Sequence, residues 1–253
     1  LGLNNASSKL LLNSITVDNV STSLASLGLD VDEDSTVSSL SVGHITPVSI
    51  ASGKTLSGAI TVTAGSIKLG EAGTLASTVS MSGGTLDADE SLTLSGALSQ
   101  AGAITIDVAD GKYLIYSGAA LNLGAYTLTM SGEGTFSNSN ALVLSNASSK
   151  LLLSSSITVD SVSTSADNLG LDVNDDSTVS SLTVAHTTPV SIASGKTLSG
   201  AITLTDGSVK LGETGTLAST VSMSGGTLDA DETLTVSGAL TQAGAITIDV
   251  ASG

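Results

Sequence analysis

The sequence predicts an all-β chain folded as a parallel β-solenoid, and three observations carry the prediction. Residues 28–111 recur at 170–253 with thirteen differences over 84 aligned positions, so the chain repeats a 142-residue length. Self-similarity at a fixed period marks architectures in which each unit buries its apolar face against its neighbours. Inside that period lies a shorter one of roughly twenty residues, bounded by Gly, Ser, Asn and Asp, which gives about twelve rungs. Finally, apolar residues recur two apart with Ser or Thr between them, as in a strand with one face buried and one wet.

The elements follow one grammar. A short apolar step opens each rung: Val37, Leu56, Leu75, Leu114, Phe136. An alternating segment comes next, as in Leu40/Val42, Ile60/Val62, Val79/Met81 and Leu121/Leu123. After a corner comes a second alternating pair, as in Val48/Ile50, Ile67/Leu69, Leu86/Ala88 and Ile104/Ile106. The corners are rich in residues that suit turns, and the Ser/Thr/Val/Ile content favours strand over helix. Short strands repeating in the same order and direction stack as parallel ladders about 4.8 Å apart. The competing fold, a tandem β-sandwich, has a wider core with buried aromatics and longer strands. This chain has no Trp, one Phe and three Tyr, so a narrow column of Leu, Ile and Val that needs no large aromatic is expected.

The differences between the copies test the in/out assignment. Val62 becomes Leu204, Ile67 becomes Val209 and Leu94 becomes Val236, so inward sites stay apolar. Ser41 becomes Thr183 and Ser99 becomes Thr241, so outward sites stay hydroxylic. Ala64 becomes Asp206 and Ile45 becomes Thr187, which puts both at corners or on the outer face. The organisation predicted is one continuous solenoid over residues 1–253, with copies 1–111 and 142–253 joined by rungs 112–141. Leu1-Gly2-Leu3 matches Leu142-Val143-Leu144 in the middle of a rung, so the chain reads as a segment of something longer.

Composition narrows the function. Seven Lys, no Arg and 23 acids give a net charge of −16. Nucleic-acid binding needs a basic stripe to displace counterions, and an anionic membrane surface would repel this chain. No apolar run reaches the length of a membrane span, and no Cys is present to form a disulfide or a thiolate site. His44 and His186 are copies of one residue at a corner, so no two-histidine metal site forms inside a copy. Catalysis on a β-helix by paired carboxylates or stabilising cations finds no Arg here, and the carboxylates recur in each copy instead of converging once. The chain is expected not to be an enzyme and to take no small-molecule substrate.

Two surface patterns remain. Acidic corners gather Asp30, Asp32, Glu33 and Asp34, then Asp87, Asp89 and Glu90, with copies at Asp172, Asp175, Asp176 and at Asp229, Asp231, Glu232. Ca²⁺ takes six to eight oxygens from such clusters, which makes Asp30, Asp32, Asp34, Asp87, Asp89, Asp172, Asp176, Asp229 and Asp231 candidate ligands for weak Ca²⁺ binding. The same carboxylates also fit solvated turns that keep the chain soluble, and no other cofactor is implied. Rung-by-rung alignment sets Lys68 beside Asp87, and Lys54 between Asp34 and Glu71; Lys196 and Lys210 repeat this beside Asp176, Glu213 and Asp229. Such pairs fix register, because a slipped rung would oppose like charges. An outward row of Thr61/Thr63, Ser80/Ser82, Ser99, Asn122 and Ser145 brings an ice-binding face into consideration, but the row is too mixed in size to make a regular lattice.

The rungs, especially SGEGTFSNSNALVLS at residues 131–145, resemble the glycine- and hydroxyl-rich repeats of large bacterial surface proteins: autotransporter passenger regions and filamentous adhesins. The resemblance covers essentially the whole chain. It implies a β-helical stalk or filament outside a bacterial cell, with binding activity at tips or loops. This chain has no long inserted loop, so a structural filament or stalk module that extends end to end or assembles with copies of itself is expected. The alternative is the stalk of an adhesin whose ligand-binding region lies outside this chain.

Overall fold

A computed structural model describes residues 1–212, 214–230 and 235–250. It is all-β, with short parallel strands stacked as a β-solenoid of about twelve turns. The described residues contain no helix. The chain divides into two compact units, Leu1–Ala119 with Gly134–Asn140, and Ala120–Glu133 with Ala141–Gly253.

In the first unit each turn contributes strands to two parallel ladders. One ladder runs through Thr16–Thr22, Ser35–Val42, Thr55–Val62, Thr78–Met81 and Leu98–Gln100. Its register stacks Val20, Leu40, Ile60, Val79 and Leu98 in one inward column and Thr22, Val42, Val62 and Met81 in the next. The other ladder runs through Lys9–Leu12, Gly28–Val31, Thr46–Ile50, Ser66–Gly70, Thr85–Ala88 and Ile104–Val108. There Leu10, Leu29, Val48, Leu69, Ala88 and Val108 are successive neighbours. The second unit repeats the pattern, with Val162, Leu182, Ile202, Val221 and Leu240 in register.

The alternation read from the sequence is the alternation of burial. The inward residues named above from Val37 to Phe136 are buried, most with no exposed surface at all. Each such aliphatic side chain stabilises the fold by about 1.5–3 kcal/mol relative to solvent exposure. A one-residue irregularity sits in the first ladder, where Val37 pairs Gly58 but Leu40 pairs Ile60. Gly58 has φ +123° there, and a Cβ would lie 1.8 Å from the Val37 carbonyl oxygen. Its copy, Gly200, has φ +122° and the same clash with Val179. Only glycine fits a bulge that presses so close on the turn below.

Two features depart from the expected column. The core uses a second aromatic beside the expected Phe136: Tyr116 is fully buried and stacks on it with centroids 6.0 Å apart. The Tyr116 hydroxyl donates to the Ala119 carbonyl at 2.6 Å and accepts from the Leu98 N–H at 3.2 Å, which makes a buried phenol tolerable. The second departure is Thr46 and its copy Thr188, both with no exposed surface. Thr46 stands two residues before Val48 in the Thr46–Ile50 strand, so it shares Val48's inward face and meets Ile67 where Val48 meets Leu69. At this inward site its hydroxyl lies 3.0 Å from that of Thr22 and 3.0 Å from the His44 carbonyl oxygen.

Candidate functional surfaces: inter-rung ion pairs, acidic corners and hydroxyl ranks

The positions that could carry function are outward, and register decides which of them meet. Successive turns bring together residues roughly twenty apart in sequence, and a lysine reaches across that step. All seven lysines do so. Lys9 pairs with Asp30 and Lys54 with Glu33; Lys68 lies 2.9 Å from Asp87 and 3.6 Å from Asp89. Lys112 lies 2.6 Å from Glu90, Lys150 2.5 Å from Asp172, Lys196 2.6 Å from Asp175 and Lys210 3.8 Å from Asp229. Each partner lies on an adjacent turn of the same unit, so every cation in the chain serves as a tie between turns.

The expected pairs Lys68–Asp87 and Lys210–Asp229 are present, and each is a register pair of its ladder. Lys54 and Lys196 each meet the acid one residue before the expected one. Their partners are Glu33 and Asp175, not Asp34 and Asp176. Asp34 instead accepts the Thr55 N–H at 2.8 Å, and Asp175 accepts the Asp176 N–H at 2.9 Å. At a corner the backbone swings by a large angle per residue, so neighbouring carboxylates point to different partners. Sequence spacing alone does not separate them. Glu213 and Asp231 lie outside the described residues.

These pairs shift proton affinities in opposite senses. Burial raises the Asp87 carboxyl above the ordinary carboxylate range; the Lys68 hydrogen bond opposes this, while Asp89 and Asp107 reinforce it. Asp107 is the register neighbour of Asp87 on the next turn, so two carboxylates face each other across the ladder. Asp175 is lowered, chiefly by its hydrogen bond from Lys196 and then by the Asp176 N–H. Hydrogen bonds donated to Glu33, Asp87 and Asp175 raise Lys54, Lys68 and Lys196 respectively.

The candidate Ca²⁺ ligands are distributed among these roles. Asp30, Asp87, Asp172 and Asp229 each face a lysine, Asp89 shares Lys68, and Asp32 and Asp176 are exposed at corners. Among the described residues no three of His, Cys, Asp or Glu come together in a group that could hold a metal ion. His44 and His186 lie at equivalent corners, His44 exposed and His186 half-buried.

The hydroxyl row is more regular than the sequence suggests. In the first unit Ser21, Ser41, Thr61, Ser80 and Ser99 are consecutive register partners, all exposed. In the second unit Ser163, Thr183, Thr203, Ser222 and Thr241 form the equivalent rank.

Sequence reasoning missed Lys9, Lys112 and Lys150 as ties, although a signal was there. Each has an acid 21 or 22 positions away, one turn along the ladder. The chain matches no known protein family, no curated protein and no solved structure.

Proposed function

We propose that this chain is a structural module of an extracellular or cell-surface filament or stalk, which builds length by extending or assembling end to end. The observation that carries the reading is the use of all seven lysines as ties between adjacent turns. Charge of one sign is spent on holding register, and the remaining carboxylates coat the surface and keep copies from aggregating side by side. Stacked repeats couple each turn to its neighbours, so load on one turn is shared with the next. The resemblance to bacterial surface repeat proteins supports the same reading, as does a surface rich in Ser and Thr.

Electron microscopy of the purified chain at micromolar concentration, with and without Ca²⁺, tests this. Fibres of uniform width, or thin rods of constant length, are expected. Fibres only with Ca²⁺ would give the acidic corners a role in assembly. Compact globular particles under both conditions would overturn the proposal.

A further inference from the structure

We infer that the turns Asn5-Ala6-Ser7 and Asn146-Ala147-Ser148 are acceptor sites for an N-linked glycan. Both carry the Asn-x-Ser pattern whose side-chain amide is glycosylated in secreted proteins. The structure adds what the pattern alone lacks. All three residues of each turn are exposed and lie outside any strand. In both, Oδ1 of the asparagine accepts the N–H of the serine two residues on, at 2.9 Å. The carboxamide is thus held by its oxygen, and Nδ2 makes no hydrogen bond among the described residues.

The base of the second turn is anchored. Ser149 is fully buried; its hydroxyl accepts the Asn146 N–H at 2.9 Å and donates to the Gly124 carbonyl. A fixed base with an exposed apex presents the amide without loosening the ladder. A third occurrence of the pattern shows the contrast. Asn19-Val20-Ser21 lies inside the Thr16–Thr22 strand, with Asn19 paired to Ser39 and Ser21 held between Gly2 and Ser41. That backbone cannot bend into a transferase groove while the ladder is intact, and copy two has Ser161 in place of Asn19.

The chemistry is a group transfer from a lipid-diphosphate-linked oligosaccharide. Nδ2 forms a bond to the anomeric carbon, the bond from that carbon to the phosphate oxygen breaks, and the lipid diphosphate leaves. The amide proton passes to a base of the transferase. Whether the chain meets such a donor in its native setting rests on the extracellular reading; the geometry of the turns does not.

The test uses the purified folded chain extended by an unstructured Asn-Ala-Ser tail, incubated with a purified oligosaccharyltransferase and its lipid-linked donor. Intact mass and peptide mapping then locate the glycans. Addition at Asn146 and Asn5 as well as on the tail is expected, with Asn19 bare. One increment should vanish in Asn146→Gln and one in Asn5→Gln. A chain modified on its tail alone would overturn the inference, and so would modification of Asn19 as fast as Asn146. Because the enzyme is supplied, failure of the extracellular reading would not move these results, and bare turns would not change the appearance of the particles in the microscope.

Discussion

The copied turns and the turns between them solve the same packing problem with different materials. Copies 28–111 and 170–253 fill their columns with Leu, Ile, Val, Ala and Met, while all four aromatics of the chain fall within residues 112–141. An aliphatic column is forgiving: Ile67 and Val209 occupy equivalent sites, and both have no exposed surface. The aromatic turn is specific, because Tyr116 must stack on Phe136 and also satisfy its hydroxyl. Repetition is therefore cheap where side chains only fill volume and harder where one must also meet a polar partner.

The largest expected effect falls on the aromatic pair. Phe136→Ala should cost about 3–5 kcal/mol, read as a fall in the denaturation midpoint, whereas Ile67→Val should cost about 0.5–1.5 kcal/mol. Equal losses would erase the distinction between the two regions. Tyr116→Phe should come next, at about 1–3 kcal/mol, since it leaves the Leu98 N–H without its acceptor. A change within error would mean that water reaches that amide.

Within the copies, protonation sharpens the comparison. The lowered Asp175 contributes stability above the ordinary carboxylate range and loses it as the pH falls through its folded value. The raised Asp87 does the opposite: its contribution is present below its ordinary value and lost as the pH rises through the folded one. At neutral pH, Asp175→Asn should lower the melting temperature slightly, and Asp87→Asn should leave it unchanged or raise it. Melts in strong acid should bring each variant close to the parent. A larger loss from Asp87→Asn at neutral pH would show that the Lys68 contact outweighs burial.

The smallest effect expected is a gain. Copy one has Asn13-Ser14 where copy two has Ser154-Ser155-Ser156, and Ser14 takes a positive φ of 52° at this shorter corner. A left-handed backbone strains any residue with a Cβ. Ser14→Gly should raise stability by up to about 1 kcal/mol, visible as a later melt; a loss would mean that the serine is needed there.

Much of this fold was legible because a solenoid turns local alternation directly into layers. Val62, Ile67 and their copies announced the column by staying apolar while changing shape. The hydroxyl rank was legible as well, with Thr61, Ser80 and Ser99 in the register read from the sequence; its extension to Ser21 and Ser41 was not. Corners resisted reading. Thr46 resembles any turn hydroxyl, although its place two residues before Val48 in the same strand puts it on the inward face. Glu33 and Asp34 are chemically alike one residue apart, so the choice between them is made by backbone direction. Tyr116 was hidden for another reason: composition suggested a core without aromatics, but an average over the chain says nothing about one turn.

The near-identity of the copies reaches beyond the folded state. Lys9 meets Gly28, and Lys150 meets Gly170, in one and the same register. Recombination between the two halves of the coding sequence would delete or insert 142 residues, and every turn would still meet a neighbour it already meets. The length of such a chain can therefore change within a lineage in whole periods, by slippage at the gene, without any new interface having to be invented.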